Sequence, residues 1–325
     1  MSQPSPAQPA PAVAPTLSIV ICCYTARRLD QLHAAVLSAV GQLGADDEVI
    51  VVVDHNPDLF ATLHADITVR DDRVRVLANT ETNGLSGARN TGVGAAVGGV
   101  VVFLDDDAAF DAGALDAVRN RFAGTEVIAI GGAVLARWSD DAEPGWFPSE
   151  FGWVVGCDYR GLPADGATIR NPIGAAMAVR REALVEIGGF SRHLGRRGTF
   201  PAGCEETLMG IVLHERFPSS VIVRDTGLRV HHHVPRDRAT FDYFLRRCYQ
   251  EGRSKAILAK LTSADSALSS ERGYATRTLP SGVWLHRRQP LRVLALVVGL
   301  AVTTAGFVTG TVNHALHRRT GEDVR

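Results

Sequence analysis

The sequence predicts a doubly wound α/β fold, and three observations support this prediction. Over the first 135 residues, short apolar segments rich in branched side chains alternate with segments that carry apolar residues at helical spacing. Such alternation is typical of a sheet with helices packed on it. Hydrophobic residues make up 46% of the 325 residues, enough to fill a large core. Acidic residues follow two of the apolar segments, at Asp54 and at Asp105–Asp107. Because ligands bind at the carboxyl ends of strands in such sheets, these residues mark the expected site.

The predicted elements follow one another closely along the chain. Strands are expected at apolar or alternating segments, namely Leu17–Cys23, Glu48–Val53, Arg73–Leu77, Val100–Leu104, Val127–Leu135 and Val221–Val230. Helices are expected between them at Leu29–Val40, Pro57–Leu63, Gly87–Val97 and Asp111–Phe122. Asp111 is the predicted N-cap of the last of these helices.

Three adjacent carboxylates, Asp105, Asp106 and Asp107, follow the fourth predicted strand. One interpretation is a solvated turn, where Asp is common. The other is a metal site, because alternate residues can face one cation while the middle one points elsewhere. Oxygen ligands of this kind suit Mg²⁺ or Mn²⁺, which usually also bind substrate phosphates. The triplet alone leaves both interpretations open.

The stretch before the triplet is more specific. Residues 83–108 read NGLSGARNTGVGAAVGGVVVFLDDDA. Its glycines permit close approach of the backbone, and Arg89 offers a cation for a phosphate or a carboxylate. This stretch resembles the donor-binding segment of family 2 glycosyltransferases of the GT-A fold. Further resemblance lies in Leu17–Tyr24, Val51–Asp54 and Asn171–Phe190, and it covers about residues 16–260 in all.

The resemblance implies a fold and an activity. The fold would be a GT-A-like doubly wound mixed sheet with flanking helices, in a catalytic domain at residues 16–235. Its donor half would cover about residues 16–135 and its acceptor half about 136–235. The activity would be that of an inverting, nucleotide-sugar-dependent transferase of the membrane-associated bacterial type.

The resemblance also implies roles in donor binding. Asp54 would hydrogen-bond the nucleobase, although a lone Asp there also suits a cap for the next turn. Tyr24 would belong to the donor site. Arg89 would lie near the diphosphate or brace the acidic loop, and its alternative is an ordinary helix-surface arginine. Asp105 and Asp106 would also contact the donor, with Asp106 either closer to the ribose or behind the residues that coordinate the metal.

A divalent metal, Mg²⁺ or Mn²⁺, would be held by Asp107 and Asp105, with Asp107 in direct coordination. Three adjacent histidines, 231–233, follow an apolar segment, and on a strand alternate members share a face. His232 matches the family pattern and is the predicted metal or diphosphate contact, with His233 second. A zinc site that includes Cys204 lacks ligand spacing.

Glu205 and Glu206 follow Gly203-Cys204 where family members usually have Glu-Asp. Glu206 falls at the position of the general base on the acceptor hydroxyl, one methylene longer than the usual Asp. Glutamate can perform this proton transfer if its carboxylate reaches hydrogen-bond distance. Glu205 would orient the loop. The alternative is an acidic pair at the start of a helix, favoured by the helix dipole.

The two ends of the chain differ from its middle. Residues 1–15 predict a disordered leader without a signal peptide, which favours a catalytic domain on the cytoplasmic side of the cell membrane. Residues 236–285 predict an amphipathic helical extension. Val293–Val312 carries no charge and is long enough to span a bilayer, so residues 290–314 predict a transmembrane or membrane-embedded helix. A buried core helix is the alternative.

These parts predict the transfer of a sugar from a nucleotide-diphospho-sugar to a lipid-linked or cell-envelope glycan, by a single displacement. A net charge of −1 gives no support for a nucleic-acid partner. A sugar-phosphate nucleotidyltransferase is an alternative, but a glycine-rich loop is missing after the first predicted strand. An inactive GT-A-like binding protein is another, since Glu206 replaces the usual Asp.

Overall fold

An eight-stranded mixed sheet forms the centre of the protein, in the strand order β3-β2-β1-β4-β7-β6-β8-β5. The computed structural model describes residues 14–67, 71–140, 142–192, 194, 203–262 and 264–320. The strands are β1 (Leu17–Cys23), β2 (Glu48–Val53), β3 (Val74–Ala78), β4 (Val100–Asp105), β5 (Ala108–Phe110), β6 (Val127–Trp138), β7 (Ala176–Arg180) and β8 (Val221–Val234). Strands β1 to β4 pair in parallel, whereas β7 runs antiparallel to both β4 and β6. The predicted mixed α/β sheet is therefore confirmed.

Helices flank both faces of the sheet. They are α1 (Leu29–Val40), α2 (Pro57–Asp66), α3 (Leu85–Ala95), α4 (Ala114–Arg121), α5 (Arg181–Glu186), α6 (Glu205–Arg216), α7 (Phe241–Leu261), α8 (Ala264–Gly273), α9 (Leu279–Leu285) and α10 (Pro290–Thr320). One apolar core packs against α1 and α4, and a second, on the other face, packs against α3, α5 and α6. Every strand and helix predicted in the first 135 residues is present, with ends shifted by a few residues.

The predicted N-cap at Asp111 is wrong. Helix α4 begins after Gly113, which adopts a left-handed conformation with φ of 80°. The Asp111 N–H instead donates to Arg229 O at 2.9 Å, which continues the pairing of β5 with β8. The carboxylate of Asp111 lies 2.8 Å from His231 Nε2. The pairing of β5 with β8, which is distant in sequence, therefore includes Asp111, the residue that the local sequence predicts as the N-cap of α4.

Helix α10 packs along α7 through small residues. A Cβ atom on Gly252 of α7 would lie 2.0 Å from Thr303 O, and one on Gly306 of α10 would lie 2.1 Å from Tyr249 O. These contacts require glycine, because the two backbones approach too closely for any side chain. The two helices meet over about residues 244–256 and 299–310.

The opposite face of α10 is apolar and exposed. It carries Leu291, Leu294, Val297, Val308 and Val312. Among the described residues, Pro290–Val312 is the one helix that passes by length and composition as a candidate membrane span, and only 22% of its apolar window is buried. This degree of burial argues against the alternative of a buried core helix. The predicted leader, residues 1–15, lies outside the described residues except for its last two.

Candidate functional site

The acidic triplet lies in a tight turn between β4 and β5. Strand β4 ends at Asp105, and β5 begins directly after Asp107. Because β5 pairs antiparallel with β8 and Ala108 lies opposite His232, the register brings the His232 ring beside the turn. His232 Nε2 is 3.0 Å from Asp107 Oδ1. Asp105, Asp107 and His232 each offer a ligand atom, and these atoms lie within 4.8 Å of one another.

The three histidines divide between the two faces of β8, as the alternation predicts. His232 is buried, whereas His231 is exposed and pairs with Asp111. His233 Nε2 lies 3.3 Å from Ser139 Oγ. Within the described part of the chain, the possible metal group does not include Cys204, whose thiol lies 3.6 Å from Glu251 Oε1.

Two arginines that no sequence motif predicts, Arg28 and Arg238, neutralise the triplet. Arg28 Nη1 lies 2.7 Å from Asp106 Oδ1 and 3.0 Å from Asp107 Oδ2. Arg238 Nη2 lies 3.6 Å from Asp107 Oδ2. Both arginines are distant in sequence from the triplet, and no local motif marks them. They hold two of the adjacent carboxylates in place despite the mutual repulsion of those carboxylates.

The buried charges shift the pKa values in opposite directions. Burial and the Asp107 carboxylate raise the pKa of Asp106 to about 7. Burial alone would also raise the pKa of Asp107, but His232, Arg28 and Arg238 hold it well below its usual range. Burial alone would lower the pKa of His232, whereas Asp107 raises it to about 10. Without a metal, Asp107 and His232 therefore form a charged pair at neutral pH.

This donor set fits a divalent cation. Two carboxylates and one imidazole can converge on a point among them, and carboxylate oxygens suit Mg²⁺ or Mn²⁺. Asp107 and Asp105 would supply oxygen ligands and His232 a nitrogen ligand. Because a ligating imidazole must be neutral, His232 would lose its extra proton when a metal binds.

A buried arginine joins the triplet to the predicted base. Arg89 lies on α3 and is only 2% exposed. Its Nη1 is 3.3 Å from Glu205 Oε1 and 3.2 Å from Glu206 Oε1, and its Nη2 is 3.8 Å from Asp105 Oδ1. The guanidinium also lies against the Phe190 ring, 5.3 Å from its centroid. The alternative of an ordinary helix-surface arginine is therefore wrong.

Glu205 and Glu206 form the first turn of α6, and they face different environments. Glu205 is buried, whereas the Glu206 carboxylate is partly exposed to a cavity of about 590 Å³. A Cβ atom on Gly174 would lie 2.0 Å from Glu206 Oε1 and 2.5 Å from Arg89 Nη2. The absence of a side chain at residue 174 therefore makes room for the Glu206 carboxylate. Asp105 and Arg89 line the same cavity.

Asp54 lies at the end of β2 within a hydrogen-bond network. Its Oδ2 accepts from Gly84 N at 2.9 Å and its Oδ1 from Asn79 Nδ2 at 2.6 Å. Asn56, not Asp54, caps α2, because Asn56 Oδ1 accepts from Leu59 N. Asp54 is therefore not the cap, and it ties β2 to the glycine-rich loop.

Tyr24 is exposed just after β1, and the Arg28 guanidinium lies 5.9 Å from the centroid of its ring. This arrangement links Tyr24 through Arg28 to Asp106. Neither Tyr24 nor Asp54 is among the residues that line the cavity beside Glu206. These two predicted donor residues therefore follow the carboxyl ends of β1 and β2, outside that cavity, whereas Arg89 and Asp105 line it.

Comparison with known proteins gives consistent results. Residues 18–188 match the family model described as glycosyl transferase family 2. The chain is 30% identical over 243 residues to a glucosyl-dolichyl phosphate glucuronosyltransferase of Haloferax volcanii, an alignment that covers 74% of this chain and 77% of that protein.

Two solved structures share the fold. Mannosyltransferase PcManGT from Pyrobaculum calidifontis, in complex with GDP-Man and Mn²⁺, has a TM-score of 0.55 at 16% identity, over 93% of this chain and 90% of that one. GalNAc-T7 with UDP, GalNAc and Mn²⁺ has a TM-score of 0.53 at 14% identity, over 86% of this chain and 59% of that one. At these identities the likeness concerns the fold alone.

We expect Mn²⁺ binding to release a proton from His232. The pKa of about 10 leaves this imidazole protonated at pH 7, and coordination requires its neutral form. Titration calorimetry in buffers of different ionisation enthalpy measures the protons released. Wild-type protein should release about one more proton than His232→Gln, which should also bind Mn²⁺ more weakly. His231→Gln is the control, because His231 lies on the other face of β8. Equal proton release from wild-type and His232→Gln would remove His232 from the metal site.

Proposed function

The chain belongs to glycosyl transferase family 2, and we propose that it transfers a sugar, with inversion, from a nucleotide-diphospho-sugar to a hydroxyl of a lipid-linked or cell-envelope glycan. The observation that carries this proposal is the contact of Arg89 with both Asp105 and Glu206. This contact sets the candidate metal group and a candidate base at one cavity. A single displacement needs a leaving group and a base in such proximity.

The comparisons support both substrate classes. The two solved structures hold a nucleotide or a nucleotide sugar together with Mn²⁺, and the Haloferax volcanii relative is named for a glucosyl-dolichyl phosphate substrate. Family membership favours glycosyl transfer over the alternative of nucleotidyl transfer. The convergence of Asp105, Asp107 and His232 opposes the alternative of an inactive binding protein.

In this mechanism Asp107, Asp105 and His232 would hold Mg²⁺ or Mn²⁺, and a metal ion bound there would neutralise charge on the nucleoside diphosphate. Asp54, Tyr24 and Asp106 contribute to donor binding. The Glu206 carboxylate accepts the proton of the acceptor hydroxyl as its oxygen attacks the anomeric carbon. Arg89 and Glu205 fix the direction of the Glu206 carboxylate. Attack by the acceptor on the face opposite the leaving group inverts the anomeric centre.

We further propose that α10 anchors the protein in the cytoplasmic leaflet of the cell membrane. Its exposed face is apolar, Arg287 and Arg288 directly precede it, and Arg292 lies in its first turn. Its other face contacts α7, which carries Arg246, Arg247 and Lys255. Charges of this kind are costly within hydrocarbon, so α10 lies along the bilayer surface rather than across it. The free thiols suit a reducing compartment.

Glu206→Gln and Asp107→Ala should each lower transfer about 100-fold or more, since the first removes a base and the second a metal ligand. Transfer is measured with a panel of uridine, guanosine and thymidine diphospho-sugars, Mn²⁺ and a membrane lipid extract. Glu186→Gln, at an exposed ion pair with Arg216, is the control. Circular dichroism checks the fold. Full activity in either variant would exclude the corresponding role.

Gly174→Ala should lower kcat while the affinity for the nucleoside diphosphate changes little. The new methyl group would meet the Glu206 carboxylate and move it away from the acceptor. Steady-state kinetics and calorimetry separate the two effects. Gly94→Ala is the control, because a Cβ atom there has open space within 4 Å. Wild-type kcat in Gly174→Ala would show that the position of Glu206 does not limit transfer.

Replacement of Leu294 and Val297 by Glu should abolish flotation with anionic lipid vesicles, because both side chains are more than half exposed on the outer face of α10. Val185→Glu, equally exposed on α5, is the control.

A tag after residue 325 should lie on the same side of sealed vesicles as the catalytic domain. Recovery of the full chain in the soluble fraction without detergent would contradict the anchor, and a tag on the opposite side would show that α10 spans the bilayer.

A further inference from the structure

A basic cluster lines the part of the cavity that faces α7 and α8. We define it as Arg170, Arg247, Lys255 and Arg277. Two acids accompany it. Glu271 lies 2.8 Å from Arg170 Nη1 and 2.5 Å from Lys255 Nζ, and Glu251 lies 2.8 Å from Arg247 Nη1. Four cations against two carboxylates leave a surplus of positive charge at this end.

The other end of the cavity has the opposite charge. There Asp105, Glu205 and Glu206 surround the single guanidinium of Arg89. Arg224 also lines the cavity, and its partner is Asp158. The cavity therefore carries one end suited to a cation and one end suited to an anion. A donor-site metal accounts for the first end but not for the second.

Arg247 is the best-placed anion ligand of the cluster. It is 8% exposed, its guanidinium lies 5.7 Å from the centroid of the Trp153 ring, and its Nε–H has no acceptor among the described residues. A buried guanidinium N–H without an acceptor is costly, so the cluster has hydrogen-bonding capacity that Glu251 does not satisfy. Gly203 lies beside it, since a Cβ there would be 3.3 Å from Arg247 Nη2. Gly203 is two residues before Glu205, so the cluster adjoins the loop of the proposed base.

Apolar and aromatic residues adjoin the basic cluster in the cavity wall. Leu162, Tyr274, Leu279 and Leu300 line it, and the last two belong to α9 and α10. The outer face of α10 is the proposed membrane contact. The same cavity is thus lined by Glu206, by the basic cluster and by residues of the two helices α9 and α10.

We propose that the basic cluster binds the phosphate of a lipid-phosphate-linked acceptor, whose apolar chain leaves between α9 and α10 towards the bilayer. This inference rests on the proposed function and names the acceptor class of the same cavity. The phosphate would be held by charge-assisted hydrogen bonds from Arg247 and its neighbours. Its sugar would extend from there towards Glu206, so that one acceptor hydroxyl meets the base.

Calorimetry with dodecyl phosphate, below its micelle concentration, tests the subsite. Arg247→Gln should weaken binding about tenfold or more, because it removes a buried charged donor. Arg277→Gln tests the same site at an exposed position, where loss of fold is not a concern. Arg246→Gln is the matched control, since Arg246 precedes Arg247 on α7 but is exposed and pairs with Asp242. Binding of UDP and GDP with Mn²⁺ should be equal in all four proteins.

Each other outcome overturns the proposal. Equal binding of dodecyl phosphate and neutral dodecyl maltoside would show a site for the chain alone. Inorganic phosphate that binds as tightly as dodecyl phosphate would show a free-anion site. Loss of nucleoside diphosphate binding in Arg247→Gln would assign the cluster to the donor, and unchanged dodecyl phosphate binding in both variants would exclude it altogether. Failure of the proposed function is distinguishable, because dodecyl phosphate would then bind normally while no donor supports transfer.

Discussion

The site depends on the ion pairs that the buried guanidinium of Arg89 forms. Three carboxylates, from Asp105, Glu205 and Glu206, converge on it from two halves of the chain. Without a cation among them, such groups would repel one another or take up protons. Phe103 and Phe190 lie against the guanidinium and limit its movement. A single side chain therefore links the end of β4 to the start of α6.

The three carboxylates of the acidic triplet also repel one another, and the fold separates them into different environments. Asp107 faces His232 and keeps its negative charge, whereas Asp106 turns towards Arg28 and has a pKa near 7. Asp105 remains partly exposed towards the cavity. Three adjacent carboxylates thus occupy three environments, and the turn between β4 and β5 makes this possible because successive side chains point in different directions.

Much of the fold and part of the site followed from local sequence. Apolar runs with branched side chains predicted the strands, and alternation along β8 placed His232 apart from His231 and His233. The partners that long-range packing supplies could not be predicted in this way. Arg28, Arg238 and Asn79 come close to the site only in the folded chain. Asp111 extends the pairing of β5 with β8 instead of capping α4. The close contact between α7 and α10 could not be predicted from the sequence either. The need for glycine at Gly252 and Gly306 becomes apparent only when the position of the partner backbone is known.

The contact between α7 and α10 means that α10 packs as part of the same folded unit as the rest of the cavity wall. Leu300 and Thr303 form part of the cavity wall, and Gly306 rests on the backbone of Tyr249. A truncated protein that ends before residue 290 would lose this wall and would expose the face of α7, around Gly252, that packs against the backbone of α10. Removal of the apolar helix to gain solubility would therefore open the cavity beside Glu206 to solvent.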